Sequence, residues 1–301
     1  MKNFKPCYAI LLFVFFVVSC DSLVGSGDDG VDSTQITVDN NILNGGFVEM
    51  IFVEGGTFSR TLPDHEVTVR SFYISKYEIT QSKWEEVTGS NPSKELLGDE
   101  LPVNFMSWYT TIEFCNELSV REGLDPYYTV DKDNIDPNNL NEDDSYKWIV
   151  TINQGANGYC IPTEAEWEWA ARGGLKHQGY NYAGSNNIDE VGWYRSNADG
   201  TTHPVGEKLP NELGIYDMTG NGWEWCWDWC PDWRDGTMPY DYDEGSQLVD
   251  PTGVESGSQK AIRGTCWMMA DGESSYITYR CNTRPYMGDK TMTVRLVRVA
   301  Y

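Results

Sequence analysis

Pro162-Thr163-Glu164-Ala165-Glu166-Trp167-Glu168-Trp169-Ala170-Ala171-Arg172-Gly173-Gly174 is the stretch of this chain with the most local structural signal. Thr163 followed three residues later by Glu166 is a capping-box pattern, in which each side chain satisfies the other's backbone N–H, so a helix is expected to start here. Trp167, Ala170 and Ala171 share a face of that helix, and Gly173-Gly174 stops it. Working outward, Thr80 reads as an N-cap, with Trp84 and Val87 on one face and Gly89 as the stop. Ser107 reads as another, followed by Trp108, Ile112 and Cys115 at helical spacing and ended by Gly123. Residues 47 to 58 read as a strand entering a turn at Gly55-Gly56, and residues 65 to 74 as a second strand. Residues 127 to 158 read as a polar insertion with a hairpin at Trp148 to Ile152. From about Tyr180 onward, short segments alternate with Gly, Asn, Asp and Pro, the pattern of loops and short strands. Few helices, many turns and no internal period predict an α+β domain with much irregular structure.

The N-terminus reads as an export signal. Lys2 and Lys5 precede the apolar run Ala9 to Val18, and Ser19-Cys20 closes it. That run is short of the roughly 20 apolar residues that span a bilayer. Val17-Val18-Ser19-Cys20 resembles a bacterial lipobox, which would make residues 1–19 a lipoprotein signal peptide and Cys20 the lipidated residue. Residues 20–44 are rich in Gly, Ser and Asp and read as a flexible tether, with residues 45–301 as one domain. Several acyl chains hold a protein firmly to a bilayer, so the expected location is lipid-anchored at the outer membrane or cell surface.

A formal charge of −24 gives no basic patch for phosphates, so nucleic acid is not an expected partner. Twelve tryptophans fit the core and groove lining of an irregular domain. Once Cys7 and Cys20 are set aside, Cys115, Cys160, Cys226, Cys230, Cys266 and Cys281 remain, and their spacing names no disulfide. Cys226 and Cys230 lack a second pair or a nearby His, so they read as small buried apolar groups rather than as zinc ligands.

Several segments, in order from about residue 48 to the end, resemble the formylglycine-generating-enzyme (sulfatase-modifying factor) family. They are Phe52-Val53-Glu54-Gly55-Gly56-Thr57-Phe58, Lys76-Tyr77-Glu78-Ile79-Thr80, Leu101-Pro102-Val103 through Trp108, and the Pro162 to Gly174 stretch. Asn211-Glu212-Leu213-Gly214-Ile215-Tyr216-Asp217-Met218-Thr219-Gly220-Asn221 with Trp223-Glu224-Trp225-Cys226, then Arg263-Gly264 with Trp267, and Arg295-Leu296-Val297 complete the set. The resemblance implies the C-type-lectin-like fold. It also implies a possible calcium site, since some members bind calcium through an Asn and a Glu that match Asn221 and Glu224; oxygen ligands suit that ion. Gly222 departs from the family's usual Val between them, and no cofactor is expected to be required.

The family's enzyme holds copper between two thiols, and soft thiolates select Cu(I). Counted from Trp267, the two positions carry Met269 and Ser274, with Tyr276 next if an insertion shifts the register. Formylglycine chemistry is therefore not the expected function, and no metalloprotease helix, nucleophile elbow or phosphate loop is present in the sequence.

The segment from Thr265 to Val294 departs most from the family, which usually has Gly and Ser at Thr265 and Cys266 and Gly-Phe at Thr293-Val294. Trp267, Arg280, Pro285 and Arg295 keep their places while the residues between them look arbitrary. That arrangement resembles the variable proteins of diversity-generating retroelements, including variable surface lipoproteins of treponemes. Errors at template adenines scatter Asn codons to residues of the kinds found here. The resemblance implies a variable region at about 263–298 that binds a protein or glycan ligand. The candidate contacts are Cys266, Met268, Met269, Asp271, Glu273, Ser274, Tyr276 and Thr278, then Tyr279, Cys281, Asn282, Thr283, Tyr286, Met287, Asp289 and Lys290. Tyr anchors among small polar groups are the composition of adaptable binding loops. The alternatives are a formylglycine-generating, copper-dependent cysteine oxidase, or a binding or structural lipoprotein of fixed specificity.

Overall fold

The computed structural model describes residues 42–43, 46–60, 66–230 and 248–300. The signal segment, Cys20 and most of the tether lie outside the described residues.

The three helices expected from the sequence start where their capping residues stand. Helix α1 (Gln81–Thr88) has Thr80 accepting from the Lys83 N–H, and ends on Gly89 at φ 77°, a left-handed conformation that glycine adopts without steric cost. Helix α2 (Trp108–Arg121) is opened by a Ser107–Thr110 capping box. In α3 (Glu164–Ala171) the Glu166 N–H donates to Thr163 Oγ1 at 3.2 Å and the Thr163 N–H to Glu166 Oε2 at 2.8 Å. The predicted hairpin is present as Trp148–Ile152 antiparallel to Tyr128–Ile135.

The two strands expected over residues 47–58 and 65–74 are each broken in two. Met50–Val53 pairs with Phe72–Ser75 in one sheet, while Gly56–Ser59 pairs with Glu66–Val69 in another. Both chains turn the same corner together. A Cβ at Gly55 would lie 2.6 Å from the Val69 carbonyl oxygen, and the Gly55 N–H donates to Ser71 Oγ at 3.0 Å. Only a residue without a side chain allows that approach.

Three sheets carry most of the architecture. The first runs in the order Ile42–Leu43, Met50–Val53, Phe72–Ser75, Val297–Val299, so two residues of the segment read as tether join the sheet that also takes the end of the chain. The second runs Cys281–Thr283, Gln259–Arg263, Trp223–Cys230, Met292–Thr293, and the third Leu248–Val249, Glu66–Val69, Gly56–Ser59. The core between them is aromatic: Trp167 and Trp225 are fully buried, and Trp84 stacks on Phe114 with centroids 4.4 Å apart. Lys260 is also buried, donating to the Trp227 carbonyl at 2.9 Å with the ring centroids of Trp229 and Trp108 at 3.7 and 4.2 Å. Those ring faces favour its charged form, against burial that pushes the ammonium down to about 7.

Charge is buried at the centre as well. Glu164 and Glu168, one turn apart on α3, have no exposed side-chain surface. Arg263 bridges them at 2.8 and 3.0 Å, Arg60 reaches both at 3.2 and 3.3 Å, and Arg172 closes on Glu168 at 2.6 Å. Arg280 binds Glu164 through two N–H donors at 2.6 and 2.5 Å. On the other side of Trp167, whose indole N–H donates to Glu224 Oε2 at 2.6 Å, Arg295 pairs with both Glu224 oxygens. Arg295 also donates to the carbonyls of Ser75 and Tyr216. Removing Arg263 from such a set takes a charge-assisted hydrogen bond from each buried carboxylate and leaves the buried Ile277 carbonyl without its donor.

Arg263→Met is accordingly expected to lower unfolding free energy by about 3–5 kcal/mol in urea titrations. Burial alone would raise the Glu168 carboxyl, but the charges of Arg263, Arg60 and Arg172 outweigh it and hold the group down to about 2. Its contribution is present above the unfolded carboxylate's value near 4.5 and is lost as pH falls from there toward 2. Urea midpoints measured at pH 6, 4 and 3 should fall in that order, and more shallowly in Glu168→Gln.

Candidate functional site

The segment between Gly264 and Thr291 is an excursion from the second sheet. It leaves Gln259–Arg263, returns as Cys281–Thr283 antiparallel to that same strand, and ends at Met292–Thr293 beside Trp223–Cys230. Its ends and its midpoint are therefore fixed on one sheet, with irregular loops between them.

Those loops are held by backbone contacts to other parts of the frame. The Arg195 N–H donates to the Met269 carbonyl at 2.9 Å and Arg195 Nε to the Met268 carbonyl at 2.7 Å. The Ile277 N–H donates to Asn181 O at 2.9 Å, and Arg263 reaches the Ile277 carbonyl at 2.6 Å. The Trp108 N–H, at the start of α2, donates to Pro285 O at 3.0 Å, and the Phe105 N–H to Asp289 O at 2.9 Å. Because these donors and acceptors are mostly main-chain groups, the loop path does not depend on which side chains it carries.

The side chains divide into two sets. Trp267, Pro285 and Arg295 are buried, and Arg280 is clamped on Glu164. Met268, Asp271, Glu273, Met287 and Asp289 are exposed. Met269, Ser274, Tyr276, Thr278, Tyr279, Cys281, Asn282, Thr283, Tyr286 and Lys290 are partly exposed. Some of these are already engaged within the chain: Lys290 pairs with Glu95 at 3.2 Å, Asp289 accepts from Thr291, and Tyr276 packs edge-on against Tyr182.

Cys266 corrects the sequence expectation. It is 2% exposed and belongs to the hydrophobic core, its side chain turned inward just beyond the end of the Gln259–Arg263 strand. Burial pushes its thiol up to about 11. Thr265 before it has φ 64° with its hydroxyl buried and unpaired, a costly conformation for a β-branched residue where the family's usual Gly has none of that cost.

Asn221 and Glu224 lie near each other but do not present oxygens to a cation. Asn221 Oδ1 accepts from the His203 N–H at 2.9 Å, and its amide donates to Glu78 at 2.6 Å. Both Glu224 oxygens face N–H donors of Arg295 and Trp167. This donor set does not fit calcium, which needs those oxygens free.

Two features escaped the sequence reading. Arg60 stands in no motif yet reaches both buried carboxylates of α3. Tyr286 and Gly288 form one side of a groove of about 380 Å³ whose other side comes from α1, α2 and the hairpin. Its lining residues come from segments far apart in the chain, so no local pattern announces it.

A family model described as the sulfatase-modifying factor enzyme 1-like domain matches residues 41–300. The chain is similar to the chaperone protein LppX of Paenibacillus barcinonensis, 50% identical over 198 residues, which is 59% of this chain and 70% of that one. It is also similar to the formylglycine-generating enzyme of Bos taurus, 27% identical over 252 residues, covering 74% of this chain and 63% of the enzyme. Among solved structures, Treponema denticola variable protein 1 superposes with a TM-score of 0.69 at 30% identity, covering 83% of this chain and 95% of that one. The fold is the C-type-lectin-like fold of the formylglycine-generating-enzyme type.

The two sets of side chains should separate in stability measurements. Met268→Ser, Asp271→Asn and Met287→Ser are expected to shift unfolding free energy by no more than about 0.5 kcal/mol. Arg280→Met, which takes two charge-assisted hydrogen bonds from the buried Glu164 carboxylate while Arg60 and Arg263 still pair with it, is expected to cost about 2 kcal/mol or more.

Proposed function

Because the chain belongs to the sulfatase-modifying factor enzyme 1-like family over residues 41–300, we propose that it uses this fold as a non-catalytic, lipid-anchored binder displayed outside a bacterial cell. Its binding face is formed by the exposed and half-exposed side chains between Met268 and Lys290, and retroelement copying rewrites them to change specificity. The carrying observation is the division within that segment. Arg280, Pro285 and Trp267 are tied into the frame, and most of the residues between them reach solvent on a path fixed by main-chain hydrogen bonds. Tyr276, Tyr279 and Tyr286 serve as rigid anchors, and Met268 and Met287, each about two-fifths exposed, as adaptable apolar contacts.

The likeness to a protein named as variable supports this reading, at 30% identity over most of both chains. The non-catalytic part rests on Met269 and Ser274 standing where the enzyme's two thiols would be. Anchoring rests on the lipobox-like Val17-Val18-Ser19-Cys20. The binder needs no cofactor, and its ligand is a protein or glycan.

The 50% identity to a protein named as a chaperone favours a second reading, a binder of fixed specificity for one polypeptide client. The gene itself separates the two. Diversification predicts that, in DNA from many cells, substitutions are confined to the codons for about Thr265 to Val294, at adenines of a neighbouring near-copy. An invariant tail with no near-copy would overturn it in favour of the fixed binder.

A further inference from the structure

We propose that the groove beside Tyr286 is a pocket for an arginine side chain of a polypeptide ligand. This deepens the reading of the C-terminal segment as a binding face, and rests on it. The groove holds about 380 Å³, room for a long side chain but not for a folded element. Its floor is the stacked pair Trp84 and Phe114. Its rim carries three more rings, Phe105, Tyr146 and Tyr286, the last from the candidate face itself.

The charge on its wall selects the ligand. Glu113 and Glu117, one turn apart on α2, both line the groove. Glu113 ion-pairs with Lys132, whereas Glu117 has no ion-pair partner among the described residues. Partial burial, with the neighbouring Glu113 charge adding to it and together outweighing the opposing charge of Lys132, raises the Glu117 carboxyl. A carboxylate in that condition gains from an arriving cation. Ring faces here already hold cations: the rim ring Phe105 has Lys94 Nζ 5.0 Å from its centroid, and outside the groove Lys132 Nζ lies 4.2 Å from that of Trp148, which leaves Tyr146 and Tyr286 as the rim rings for a ligand.

Aromatic faces with an unpaired carboxylate fit arginine better than any other residue. Its planar guanidinium stacks on rings and forks onto a carboxylate, and its methylenes cover apolar surface. A ligand seated on the segment around Tyr286 would have this groove directly beside it. The chain's net charge of −24 draws a basic ligand toward it.

The test is a calorimetric and NMR titration of the full chain with acetyl-Gly-Arg-Gly-amide and with the same peptide carrying citrulline, which keeps the shape and loses the charge. The arginine peptide is expected to bind saturably and the citrulline peptide about tenfold or more weakly. Glu117→Gln, on the helix surface where folding is undisturbed, and Tyr286→Ser are each expected to weaken the arginine peptide by a similar factor. No saturable binding, equal binding of both peptides, or undiminished binding in Glu117→Gln would overturn the pocket. The outcome is separable from the diversification reading. An invariant gene tail leaves a positive titration standing, and a varying tail does not rescue a negative one.

Discussion

Two carboxylates with no exposed surface, Glu164 and Glu168 on α3, are the constraint around which the rest of the chain is arranged. Each ion taken from water costs several kcal/mol, and only well-placed cations offset that. Here the cations arrive from separate places. Arg60 follows a strand of the third sheet, Arg172 caps the helix, Arg263 ends a strand of the second sheet, and Arg280 lies inside the C-terminal excursion. A misplaced strand would leave a buried charge unpaired, so the network works against alternative arrangements. In a domain with so little regular secondary structure, this specificity matters more than the net energy of any one pair.

The same network explains how an irregular segment can be held in place while its surface side chains differ. Arg280 pins its middle from below, Arg263 takes the Ile277 carbonyl, and Trp267 and Pro285 are buried on either side. What remains outside is attached through main-chain groups. Thr265 is the place where this separation is least clean. It sits at the threshold, still buried, with a backbone angle that suits glycine.

The helices were legible because capping is local: Thr80, Ser107 and the Thr163–Glu166 box name their own helix starts. Strand pairing was not, since Ile42–Leu43 and Val297–Val299 lie in one sheet although they are at opposite ends of the domain. Hydrophobic alternation also could not show that residues 65–74 turn a corner, which depends on Gly55 meeting Val69 from another strand. At the candidate site, the frame positions Trp267, Arg280, Pro285 and Arg295 were readable from the motif pattern. The burial of Cys266 was not legible because composition does not record which side chains of a loop turn inward. The groove beside Tyr286 was invisible because its floor comes from α1 and α2, far earlier in the chain.

The cysteines carry a consequence for the loops between Met268 and Lys290. All six among the described residues are free, and five are buried. Burial pushes the thiols of Cys115, Cys160, Cys226, Cys230 and Cys266 above their ordinary value, and does the same more mildly to Cys281. Only the ionised form attacks a disulfide or another sulfur. A cysteine introduced between Met268 and Lys290 would therefore meet no ready nucleophile in the frame beneath it. Among the described residues, a thiol gained in those loops would find only the partly exposed Cys281 beside it, and the five buried thiols would keep their packing within the core.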